Sequence, residues 1–143
     1  MKDFVPYELA VKLKEKGFRE KCRESYREGE LISNKTAFNC DVITDIKMSY
    51  NTLNDKINTQ GLYTDIIDAP TISQVLKWLR DKHAIHITIG MYSFGWYYNV
   101  VEYEHYEEDG RYDLKPAIQS FTHNGSYEQA ALAGISWTLD NLI

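Results

Sequence analysis

The sequence predicts an α+β protein: a single domain spanning residues 1–143, with an antiparallel sheet of about 4–6 strands and helices packed mainly on one face. Three observations lead there. Two segments, residues 71–82 and 126–142, carry helical apolar periodicity with capping residues at their starts. Between them, residues 85–103 alternate in the manner of paired strands. An earlier segment, residues 21–33, reads as a hairpin.

Taken in order, the first helix is expected from Pro6 to Lys16. Proline suits the first helical position, because the N–H it lacks would have no partner there. Leu9, Ala10 and Leu13 form an apolar stripe, and Gly17 is a natural stop with Phe18 placed to fold back on that stripe. In the hairpin, Cys22 to Arg27 alternate, Gly29 marks the turn, and Leu31 and Ile32 begin the return strand. Residues 34–60 are rich in Asn and Thr and read as a variable insertion, with one strand around Val42, Ile43, Ile46 and Met48.

The second helix opens on Thr71 with Gln74 three residues on, the spacing of a capping box. Ile72, Val75, Leu76 and Leu79 fall on one face, and the helix should end near Lys82 or His83. The last helix repeats the device with Ser126 and Gln129. Tyr127, Ala131, Ile135, Leu139 and Leu142 form its apolar face, and Ala130, Ala133 and Gly134 allow a close approach.

In the central segment Ile85, Ile87, Ile89 and Met91 alternate with His86, Thr88 and Gly90, and Trp96 to Tyr103 form a second strand. A three-residue loop, Ser93-Phe94-Gly95, would pair Tyr92 with Trp96, Gly90 with Tyr98, Thr88 with Val100 and His86 with Glu102. One face would then carry the isoleucines, Met91, Val101 and Tyr103. The other would carry Tyr92, Trp96 and Tyr98 as an aromatic strip, with His86 and Glu102 at its end. A slip of one residue would exchange the faces of one strand. Glu104 to Lys115 is acidic and polar and reads as an exposed loop, and Ala117 to Thr122 reads as one more strand.

Composition narrows the function classes. The chain is 43% hydrophobic and long enough to bury a core without disulfides or metal. With 16 basic and 21 acidic residues, its net charge of −5 argues against nucleic acid and anionic membrane as partners. No stretch approaches a membrane span, and the first residues lack the apolar core of a signal peptide. A cytoplasmic protein with reduced thiols is expected, since Cys22 and Cys40 make neither a disulfide framework nor a Cys-x-x-Cys pair.

No motif announces catalysis or a cofactor. There is no Gly-x-Ser-x-Gly elbow, His-Glu-x-x-His pair or glycine-rich phosphate loop. His83, His86, His105 and His123 are scattered, and the acidic run around His105 lacks calcium-loop spacing, so no metal site is expected. The unusual feature is aromatic: 11 tyrosines and three tryptophans, many of them between Met91 and Tyr106. The strip of Tyr92, Trp96 and Tyr98, flanked by His86 and Glu102, is therefore the candidate binding site. A protein partner or a second copy of the chain could stack on it. It could equally be covered by the chain itself, and Tyr98 could serve to cover Gly90. An enzyme with a non-motif site and a single-stranded nucleic-acid binder are the competing readings.

Three blocks, read together, carry a resemblance. They are Phe4 to Ala10 with Leu13 to Phe18, Ala69-Pro70-Thr71 with Gln74 to Arg80, and Ser126 to Ala130. They resemble a family of small proteins of unassigned function from gut bacteria, their phages and mobile elements. In that family a "PYELA…GF" opening, an "APT…Q…WLR" helix and a "YEEA" C-terminal helix recur in this order. The likeness spans about half the chain, at both ends and the middle, and residues 34–60 and 104–116 fall outside it. It implies a phage or mobile-element origin and carries helix starts and core positions, with no site residue.

Overall fold

Six strands and three helices are assigned among the residues that the computed structural model describes, 3–33, 50–51, 66–119 and 125–143. The architecture is α+β, and the strands divide into two three-stranded antiparallel sheets. The described residues fall in two compact units, Met1–Thr71 and Ile72–Ile143. The strand expected around residues 42–48 lies outside the described residues, as does all of the expected insertion except Tyr50 and Asn51.

The first unit begins with α1 (Tyr7–Glu15). Pro6 is the residue before its first turn, with an extended backbone, one place earlier than expected. The stop follows a Schellman pattern: Phe18 N–H donates to Leu13 O at 2.9 Å and Gly17 N–H to Lys14 O at 3.2 Å. That needs positive φ at Gly17, which is 94°. Leu9, Ala10, Leu13 and Phe18 are buried together.

β1 (Glu24–Arg27) and β2 (Glu30–Ser33) form the expected hairpin. Its two-residue turn, Glu28-Gly29, has positive φ at both positions, 52° and 80°, so its twist matches the strands. β3 (Ile66–Ala69) completes the order β2-β1-β3. It is buried throughout and has no two-residue alternation to mark it in the sequence. Tyr26 donates its hydroxyl to Val5 O at 2.6 Å, and Val5 N–H donates to Pro70 O at 3.0 Å.

The second unit contains α2 (Ile72–His83), β4 (Ile85–Tyr92), β5 (Gly95–Tyr106), β6 (Arg111–Gln119) and α3 (Tyr127–Asn141). The sheet order is β4-β5-β6. Both helices pack against β4 and against each other, and α3 also packs on β5. At the start of α3, Ser126 Oγ accepts from Gln129 N–H at 3.1 Å, and Gln129 Oε1 accepts from Gly125 N–H at 2.8 Å. The capping signal read from the sequence is thus satisfied, with the return bond one residue earlier than in a standard box.

The expected loop from Glu104 to Lys115 is a correction. β5 runs on to Tyr106, the turn occupies residues 107–110, and β6 returns from Arg111. Gly110, with φ of 71°, closes the turn by donating to Tyr106 O at 2.9 Å. Nearly every residue from 104 to 116 is exposed. The run Glu104 to Asp109 is dominated by acidic residues, and only Tyr112 and Leu114 alternate with charges after it, so the segment's polar composition reads as loop.

Candidate functional site

The pairing of β4 with β5 decides where the aromatic residues go. Tyr92 pairs with Gly95, Gly90 with Tyr97, Ile89 with Tyr98, Ile87 with Val100 and Ile85 with Glu102. The loop therefore has two residues, Ser93 and Phe94, instead of three. Gly95 does take positive φ, 138°, but within the strand. This one-residue slip from the expected register exchanges the faces of β5.

Physical cost explains which register holds. The expected pairing would have set Asn99 opposite Ile89 on the helix-covered face, where its amide would lose water. The observed pairing puts Trp96, Tyr98 and Val100 there and turns Asn99 outward. The small residues of α3 complete the fit: a Cβ added to Gly134 would stand 3.0 Å from Ile87 Cγ2 and 3.1 Å from the Tyr98 ring. Gly134 thus lets the helix lie directly on that tyrosine. Thr138, one turn on, donates its hydroxyl to Gly134 O at 2.8 Å, which satisfies that buried group.

The five residues of the expected strip are accordingly split. Tyr98 is core, 8% exposed, and burial raises the pKa of its hydroxyl. Trp96 lies on the same face, edge-on to Tyr127 of α3 with centroids 5.9 Å apart. Glu102 shares that face, half-buried, opposite Ile85. Only Tyr92 and the exposed His86 stay on the outer face. Gly90 is indeed covered by a tyrosine, but by Tyr97 rather than Tyr98: its ring fills the space an added Cβ would take.

The register assembles a different aromatic surface on that outer face. Tyr97, Asn99, Val101, Tyr103 and His105 follow one another along β5, with Tyr92 beside Tyr97 at 5.8 Å. Across the next ladder, Leu114 pairs with Tyr103 and Tyr112 with His105. His105 and Tyr112 stack at 4.4 Å, and Tyr103 meets Tyr112 edge-on at 5.9 Å. Tyr103 is held from its far end, its hydroxyl donating to Arg80 O at 2.8 Å. Tyr112 is 55% exposed and Leu114 67% exposed. The sequence signal for the last two was available: in Arg111-Tyr112-Asp113-Leu114-Lys115, apolar and charged residues alternate.

The other side of the same hairpin is charged. Arg111 lies 3.8 Å from both Asp109 and Asp113, with its guanidinium 5.2 Å from the Tyr106 ring. Asp113, and then Glu104, hold the Tyr106 hydroxyl above its ordinary pKa by stabilising its protonated form.

The first unit holds a polar cluster of another kind. Asn51 N–H donates to Asp68 Oδ2 at 2.8 Å, Asp68 N–H donates to Asn51 Oδ1 at 3.2 Å, and Asn51 Nδ2 donates to Phe18 O at 3.0 Å. Asn51, Asp68 and Ser25 are all buried. Cys22 is buried too, and its thiol pKa is pushed far up, first by burial and then by the negative charge of Asp68 and Glu20. A thiol held protonated is a poor nucleophile, and the hydrogen bonds of the cluster tie Asn51 to Asp68 of β3 and to Phe18.

Among the described residues no group of three His, Cys, Asp or Glu side chains is placed to hold a metal ion. Among the same residues no helix is long and apolar enough to cross a membrane. No protein-family model, curated protein or solved structure gives a significant match to this chain.

Proposed function

We propose that this chain is a small non-enzymatic interaction protein, of the phage or mobile-element family its sequence blocks resemble, which binds a protein partner through the outer face of the β4-β5-β6 sheet. The observation that carries the reading is the cluster at one end of that face, where Tyr103 and His105 pack on the exposed Tyr112 and the exposed Leu114 pairs with Tyr103. Tyrosines on strands present large apolar area with little side-chain entropy to lose, and each keeps a polar tip for a partner. Nucleic acid fits this surface less well, because its nearby charges are mostly carboxylates.

The test is affinity capture from a host-cell extract with the wild-type chain and with a Tyr112→Ala/Leu114→Ser double variant. Both positions are exposed, so the variant should melt like wild type. A partner held by wild type and lost by the variant supports the reading. Equal recovery by both chains contradicts it.

A further inference from the structure

We propose that the protein pairs with a second copy of itself through the free edge of β4, joining two three-stranded sheets into one antiparallel sheet of six. This stands independently of the outer-face reading above.

The two edges of the sheet are built differently. β6 carries the devices that discourage strand addition. Arg111, Asp113 and Lys115 alternate along it, and Pro116 offers no N–H. Ala117 is an extra residue in its ladder, because Val100 pairs with Ile118 while Val101 pairs with Pro116. β4 has none of these. From Ile85 to Tyr92 it contains no proline, lysine, arginine, aspartate or glutamate. Among the described residues its only strand partner is β5. A long apolar edge without such protection is a pairing template.

Its chemistry fits its own copy. A two-fold axis brings like side chains together, so an edge can self-pair only if it sets no like charges face to face. The acidic residues of this unit from Glu104 to Asp113 lie on β5, β6 and their turn, and none is on β4.

One hydrogen bond fixes which backbone groups face the edge, and the proposed two-fold axis lies at Thr88, near the middle of the strand. Tyr103 N–H donates to Ala84 O at 2.9 Å, so the even-numbered positions of this strand bond to β5. The N–H and C=O groups of Ile85, Ile87, Ile89 and Met91 therefore point to the free edge. An axis at Thr88 makes hydrogen-bonded pairs of Ile87 with the partner's Ile89 and of Ile85 with the partner's Met91. Thr88 then meets its own copy in a non-hydrogen-bonded pair, the closer of the two kinds, and His86 meets a glycine, the partner's Gly90. Met91, which is 69% exposed in one copy, gains an isoleucine beside it.

Thr88 is exposed and on the outer face, so it can be changed without disturbing the core. Light scattering on the full chain should give twice the monomer mass, and Thr88→Lys should weaken the association by about tenfold or more, since like charges then face each other. Thr88→Cys in a Cys40→Ser background should form a covalent dimer on mild oxidation. His86→Cys in that background should not, because its own copy lies out of register. A monomer at every concentration, or equal cross-linking by the two cysteine variants, would overturn the proposal.

Discussion

Both faces of the β4-β5-β6 sheet are rich in aromatic side chains, and their fates are opposite. On one face Tyr98 lies beneath α3, held against Gly134. On the other, Tyr97 lies beside Tyr92 and Tyr103 beside Tyr112, with rings partly or largely in water. Neighbours along the same strand, Tyr97 and Tyr98 differ neither in chemistry nor in propensity. What separates them is the neighbouring layer: one face has a helix with small residues where the ring must fit, and among the described residues of this unit the other does not. Aromatic content therefore does not by itself place a side chain; only register says which residues build the core and which remain at the surface.

The contrast can be broken most directly at Tyr98. Tyr98→Ala should destabilise the protein by about 3–5 kcal/mol, the cost of emptying a filled aromatic site. Tyr112→Ala on the opposite face should shift stability by no more than about 0.5 kcal/mol. Chemical denaturation of the two variants side by side measures the asymmetry, and equal effects would mean the faces are not distinguished as described. The same interface can be probed from the helix. Gly134→Val should cost about 1–3 kcal/mol, because its added methyls must displace Ile87 and the Tyr98 ring.

A smaller effect sits at the end of α2. His83 packs edge-on to Trp78 at 4.5 Å, and burial lowers its pKa from the ordinary value of 6.5. Because the folded state disfavours the charged ring, its contribution is complete above that ordinary value and is lost as pH falls below it. Thermal melts between neutral and mildly acidic pH should show a downward slope that His83→Asn flattens. An unchanged slope would place the pH dependence elsewhere.

Much of this fold was legible in the sequence, and the parts that were not share a cause. The three helices announce themselves through caps and stripes: Gly17 ends α1, Thr71 precedes α2, and Ser126 with Gln129 opens α3. The Glu28-Gly29 hairpin was equally plain. β3 was missed because a strand buried on both sides has no alternation to detect. The β5–β6 hairpin was missed for the opposite reason: its distal half is solvated, and the acidic run through its turn outweighs the short alternation of Tyr112 and Leu114 with charged residues.

The candidate site was legible in kind and wrong in membership. The clustering of aromatics between Met91 and Tyr106 is visible in the sequence, but the split between Trp96 or Tyr98 and Tyr97 or Tyr103 depends on whether Gly95 belongs to the loop or to the strand. A single residue in the turn moves every side chain of β5. The clue that decides it, the polar Asn99 that one register would bury, lies four residues beyond that turn.

That register is the claim on which the core, the outer face and the edge geometry all rest. It can be read by nuclear Overhauser contacts between Hα protons across the β4–β5 ladder, which are strong only for non-hydrogen-bonded antiparallel pairs. Contacts of Ile87 with Val100 and of Ile89 with Tyr98 are the result predicted here. Contacts of Ile87 with Val101 and of Ile89 with Asn99 would place Tyr98 outside the core and contradict the account.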